Sequence, residues 1–239
     1  MENTKKMAKR VKAAGMKLLL DFHYSDYWAD PGKQYKPAAW RNLSFEELKK
    51  AVYDYTKKVI QELKDQGTTP DMVQIGNEIN HGIIWPEGNV SNIDNLAQLI
   101  NAGTAAVKSV DPSVIMMLHV DLGGQNDESV FFIDNMIARG VPFDVIGESY
   151  YPKWHGTLDD LRDNLNDLVR RYNKDVIVVE YSALKNEVNK IAFELPAGKG
   201  KGTCIWEPLS TWERIFGNEG KSNELIKVYD EIKNKYLDK

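Results

Sequence analysis

Cysteine is nearly absent: Cys204 stands alone among 239 residues. That excludes an intrachain disulfide framework and leaves too few thiolates for a Cys-based zinc cage. No apolar run approaches the roughly 18 residues a membrane helix needs. The opening MENTKKMAKRVKAAGMKLLL is basic, but its apolar stretch is short and runs straight into DFHYSD. It lacks the apolar region and small-residue cleavage site of a signal peptide. With 17 Gly and 9 Pro, the chain is neither collagen-like nor of low complexity. Charge is almost balanced, 31 Lys+Arg against 35 Asp+Glu, net −4. No basic stripe interleaved with aromatics marks a nucleic-acid partner. A glycine-rich phosphate loop is missing after the first apolar run, and with it the sign of a nucleotide cofactor. His23, His119 and Asp121 could be imagined around a metal, but no H-x-H or H-E-x-x-H spacing supports that. No cofactor and no metal are therefore expected.

What is present is the ordinary mix of a globular protein, 42% hydrophobic and 28% charged. Short apolar runs alternate with longer amphipathic ones. Strands are predicted at Lys17–Phe22, Met72–Ile75, Val114–Leu118, Asp144–Ile146, Val176–Val179 and Thr203–Trp206. Helices are predicted at Lys5–Ala14, Ser44–Gln66, Ile93–Val110, Ser129–Arg139, Leu158–Tyr172, Asn186–Glu194 and Asn223–Tyr236. Ser44 with Glu47 three residues on is a capping box, and Gly67 is a stop. The βα alternation with buried-type strands implies a parallel sheet wrapped by helices. Between an open doubly wound sheet and a closed (β/α)8 TIM barrel, the long loops after the strands favour the barrel. Six strands are visible where such a barrel has eight. The expectation is a single catalytic barrel domain over residues 1–239, truncated at its N-terminus by two βα units, roughly 60 residues.

All four histidines (His23, His81, His119, His155) and all six tryptophans (Trp28, Trp40, Trp85, Trp154, Trp206, Trp212) fall at or beyond predicted strand C-termini. In an α/β barrel that rim carries the active site. Trp40 and Trp212, furthest from their strands, are the ones expected to be structural. Aromatic rings with scattered Asn, Asp and His suit a carbohydrate, whose apolar ring face packs on an aromatic plane while its hydroxyls need polar partners. Glu78 ends the second visible strand and Glu180 the fifth. Three strands apart in an eight-strand ring, they would face each other across it. Paired carboxylates are the machinery of glycoside hydrolysis. Asn77, directly before Glu78, is placed to bond a sugar 2-hydroxyl. Glu180, expected near Tyr150, would stay ionised as nucleophile, and Glu78 would stay protonated as acid.

LLLDFHYSDYWADPGKQ (Leu18–Gln34) with PAAW (Pro37–Trp40), VQIGNEI with WPEG (Trp85–Gly88), LHVD (Leu118–Asp121), FDVIGESYYPKWHG (Phe143–Gly156), VVEYS and IWEP (Ile205–Pro208) together resemble glycoside hydrolase family 53. These are the endo-β-1,4-galactanases that cut (arabino)galactan side chains of pectin. The resemblance covers nearly the whole chain and implies a (β/α)8 barrel and a retaining mechanism. It makes Glu78 the acid/base and Glu180 the nucleophile, with carboxyls roughly 5–5.5 Å apart. It implies that His23, Asn77, His119, Tyr150 and Trp206 line the subsite of the cleaved sugar. Asp26, Trp28, Asp30, Trp85, Trp154 and His155 would shape the rest of the groove. The family's first two strands, with an arginine expected near the nucleophile, have no counterpart here. The edges of the first and last visible strands would then be exposed. Galactan lies outside cells, so the intact parent is expected to be exported. A mannanase or cellulase of the same clan, or a non-catalytic galactan-binding remnant, are the competing readings.

Overall fold

Ser44 opens the longest helix, α2 (Phe45–Asp65; α1 is Glu2–Ala13), by the predicted reciprocal cap. Its hydroxyl accepts from the Glu47 N–H, and the Glu47 carboxylate accepts from the Ser44 N–H. Two of the four orphan donors of the first turn are thereby satisfied. At the other end Gly67 (φ 78°) lets the chain turn back, with Gly67 N–H on Lys64 O and Thr68 N–H on Leu63 O. The coordinates, a computed structural model, describe residues 1–209 and 213–237.

The chain divides into two compact units, Met1–His119 with Phe132–Asp144, and Val120–Phe131 with Val145–Lys239. In the first, β1 (Leu19–Phe22), β2 (Met72–Ile75) and β3 (Ile115–Val120) pair in parallel, Leu19 beside Met72 and Gln74 beside Met117. Helices α2 and α3 (Ile93–Val110) pack together. Leu48, Val52, Ile60 and Leu63 of α2 and Leu96, Leu99, Ile100 and Val107 of α3 are buried, as are Val73 and Ile75 of β2. Burying each such side chain contributes about 1.5–3 kcal/mol.

Helix α4 (Asn126–Ala138) follows β3 in the chain. In the second unit β4 (Val145–Tyr150), β5 (Asp175–Tyr181) and β6 (Gly200–Ile205) are again parallel. Helices α5 (Leu158–Tyr172), α6 (Lys185–Phe193) and α7 (Lys227–Ile232) connect or follow them.

Strand β4 runs four residues past its predicted end. The apolar run stops at Ile146, but Glu148 and Ser149 are fully buried, and polarity alone hid them. The predicted last helix is a 3₁₀ turn (Glu224–Ile226), α7 and a π-turn (Lys233–Leu237). Among the described residues, β1 pairs only with β2, and β6 only with β5. No described helix is long and apolar enough to cross a membrane.

Candidate active site

In the first unit the site is built on the turn after β2. Gly76 has φ 94°, and a Cβ there would meet the Ile79 and Ile83 side chains at 2.5 and 2.8 Å, so only glycine fits. Two residues on, Glu78 is itself left-handed (φ 49°, ψ 61°), a conformation costing a non-glycine residue about 1 kcal/mol or more. Asn77 lies between them, its Nδ2 donating to Ala29 O at 3.0 Å.

Around this turn stand two histidines with different electrostatics. His119 is wholly buried, and Gln74 Nε2 lies 3.0 Å from its Nδ1. Because that amide nitrogen can only donate, Nδ1 accepts and the proton sits on Nε2. Burial drives the His119 pKa down to about 4, so the ring is a neutral N–H donor. His23 accepts from Ala29 N–H at Nδ1 (3.0 Å) and places Nε2 2.8 Å from Asp21 Oδ2. Burial pulls its pKa down, but the bond to Asp21 and the charges of Asp21 and Glu78 prevail and leave it raised. Protonating Nδ1 would nevertheless break the Ala29 bond, which holds the neutral tautomer in place.

The loop after β1 uses its two carboxylates on its own backbone. Asp26 accepts from Ala38 N–H (2.7 Å), while Asp30 accepts from Gly32 N–H (2.8 Å) and pairs with Lys33 at 3.2 Å. Both carboxylates are engaged in shaping their own loop. Trp28 is exposed, whereas Trp85 meets Tyr35 edge to face (6.2 Å) and donates its indole N–H to His81 O. Trp40 packs on Tyr24 and Tyr55, the structural role expected of it. Trp212 lies outside the described residues.

In the second unit Glu180, on β5, accepts from the Tyr151 hydroxyl at Oε2 (3.1 Å). The sequence reading had put Tyr150 there. Instead Tyr150 is buried, its hydroxyl donating to Gly156 O at 3.1 Å. Register explains the difference. Ser149 pairs with Glu180 and Tyr150 with Tyr181, so alternation gives Ser149 and Tyr151 the face of Glu180 and turns Tyr150 to the other. His155 is likewise a support. It is buried, with Nδ1 3.0 Å from Ser149 O and 3.1 Å from Tyr151 N, and burial lowers its pKa. Either tautomer fixes the corner that presents Tyr151. Trp154 is half exposed and meets Tyr151 edge to face (6.1 Å). Trp206 follows β6, its N–H on Tyr181 O. Glu78 and Glu180 are both 9% exposed, so burial alone does not assign their roles.

Four functional candidates were missed. Asp21 lies two residues before His23 on the same strand face, and Gln74 is the one polar residue in MVQI. Period-two reasoning could have found both, as it could Tyr151. Gln34, which bonds the Asn77 and Glu78 carbonyls, gave no local signal, because its partners lie 43 and 44 residues away.

Known proteins bear directly on this arrangement. The sequence profile of glycosyl hydrolase family 53 matches residues 1–192. The chain belongs to glycosyl hydrolase family 53. It is therefore a glycosidase by family, and its fold is an incomplete (β/α)8 barrel with six of the parallel strands. A Niallia circulans protein described as an uncharacterized protein in the bgaB 5′ region is 54% identical over 249 aligned positions, covering 87% of this chain and 68% of that one. The endo-β-1,4-galactanase of Bacillus subtilis is 40% identical over 176 positions, covering 74% of this chain and 40% of that enzyme. The solved family 53 catalytic domain of Ignisphaera aggregans superposes with a TM-score of 0.91 at 34% identity, covering 96% of this chain and 77% of that domain.

Proposed function

We propose that this family 53 chain is an endo-acting β-1,4-galactanase. Its substrate is the (arabino)galactan of pectin side chains, cleaved with retention of anomeric configuration. Family membership over residues 1–192 is the observation on which this rests, and by the resemblance Glu78 and Glu180 are its two acids. Glu180 is the nucleophile: its carboxylate attacks the anomeric carbon while Glu78 protonates the departing glycosidic oxygen. Glu78, now ionised, takes a proton from water, and the resulting attack on the anomeric carbon releases Glu180. The Tyr151 hydroxyl favours the charged nucleophile, since a donor to a carboxylate stabilises the ionised form. His119, neutral and carrying its proton on Nε2, supplies a fixed donor. The polymer is extracellular, so the protein works outside the cytoplasm.

A second reading, galactan binding without turnover, is favoured by one observation: among the described residues β1 pairs only with β2. Incubation with galactan, mannan and cellulose, with product anomers followed by NMR, separates the possibilities. Galactan alone should be cut, releasing the β-anomer first. Binding without products selects the second reading, and cleavage of mannan or cellulose instead overturns the substrate. Glu180→Gln should accumulate no glycosyl-enzyme in mass spectrometry. Glu78→Ala should lose galactan cleavage yet retain turnover of a dinitrophenyl glycoside, whose leaving group needs no proton.

A further inference from the structure

The proposed acid sits on a strained turn, and one side chain holds that turn from outside. Gln34 is 1% exposed, and its Nε2 donates to Asn77 O at 2.8 Å and to Glu78 O at 3.3 Å. One amide group thus bridges both carbonyls flanking the Cα of Glu78, the residue at φ 49°. Its Oε1 is buried without a hydrogen-bond partner, so the group is present for its donors. A reversed amide would set oxygen against two carbonyl oxygens. Gln34 is itself anchored, since its carbonyl accepts from Trp85 N–H at 2.6 Å. Ala29 O takes Asn77 Nδ2 (3.0 Å), and Pro31 O lies 3.0 Å from His81 Nδ1. The segment 29–34 therefore grips both ends of the turn, with Gln34 at its middle.

We propose that Gln34 is a positioning residue for proton transfer. By fixing the peptide planes on both sides of Glu78, it sets the direction from which the carboxyl reaches the glycosidic oxygen. Backbone geometry, rather than a bond to the carboxyl itself, is what it controls. The inference deepens the assignment of Glu78 as acid/base and rests on it.

Gln34→Met keeps length and volume while removing the two donors and the unpaired oxygen, and the variant is expected to fold with a lowered melting point because the Asn77 and Glu78 carbonyls lose this partner. Circular-dichroism melting should confirm this. Amide hydrogen exchange of residues 77–81 is then expected to quicken at least ten-fold, with residues 45–65 and 175–181 unchanged. On galactan, kcat/KM should fall ten-fold or more. On a dinitrophenyl galactobioside it should stay within two-fold, because expulsion of that leaving group needs no acid. Gln34→Glu should lose most at high pH, where an ionised carboxylate repels both carbonyls, and least at low pH, where a neutral carboxyl still donates. Unchanged exchange at 77–81 would overturn the proposal. So would an equal fall on both substrates, which a purely structural role predicts. If the unaltered protein cleaves neither substrate, the reading of Glu78 as acid fails, while the exchange measurement still decides whether Gln34 holds the turn.

Discussion

Glu148 is fully buried between β4 and the helices of its unit, with neither carboxyl oxygen in a hydrogen bond of normal geometry. Burial, reinforced by the charge of Asp121, pushes its pKa well above the ordinary carboxyl range. The nearby Ser129, Leu122 and Asn164 groups only moderate this. Asn164 Nδ2 is already engaged with the Leu122 and Gly123 carbonyls. A carboxyl whose folded pKa is raised binds more protons folded than unfolded. Its contribution is present below the unfolded pKa and lost as pH rises through the folded one. Glu148→Gln should flatten that loss: in urea titrations from pH 4 to pH 8, the variant's stability should decline less than the wild type's. Parallel curves would show that Glu148 is ionised in the fold. Sequence reading passed over this residue because one Glu in a run of mixed residues carries no sign of burial. It named Tyr150 instead of Tyr151 because the aromatic pair offers no choice until register is known. Asp26, Asp30 and His155 share the composition of sugar ligands, yet their polar atoms serve the backbone nearby. Residue type was legible in these cases, and partnership was not.

Local chemistry made most elements readable. Helices α2, α3 and α5 match their predicted spans because caps and period sit inside the segment itself. Strands were cut short wherever buried polar residues broke the apolar run, as in β4. The α2 cap gives a direct test. Ser44→Ala removes the hydroxyl acceptor and half of the reciprocal pair, and should cost about 1 kcal/mol by urea denaturation. For a chain of this size that is about 2–4 °C in Tm. Ser44→Asp should restore most of it by capping alone, while restoration by Gly would mean that backbone conformation, not the side-chain bond, carries the cap. The turn after β2 was visible only in part. Gly76 announces a bend, but nothing in GNE reveals that Glu78 is left-handed, and the side chain that bonds its two flanking carbonyls lies far off in the chain.

At the scale of the molecule, the two strands that pair on one side only among the described residues decide its behaviour. Unpaired N–H and C=O groups along β1, beside a cavity of about 430 Å³ lined by Leu20, Phe22, Tyr24 and Trp40, are a template for further strand pairing. Residues 1–239 should therefore associate as concentration rises, seen as increasing mass in light scattering. A chain extended upstream by two βα units should remain monomeric, melt higher and cut galactan faster. A monomeric short form with the same Tm and activity would show that the ladder at β1 needs no partner. The six parallel strands were legible because each holds a short apolar run, whereas the two-residue pair Gly82–Ile83 and Gly88–Asn89 left no such mark. The unit division was not legible, since it depends on packing between distant segments.

The left-handed Glu78 has a consequence for how such a protein can change over time. Glycine or asparagine at this position would relax the backbone while abolishing the carboxyl. With Glu78 as the proposed acid, screens that reward heat tolerance alone will drift toward inert proteins here, and the residue persists only where turnover itself is selected.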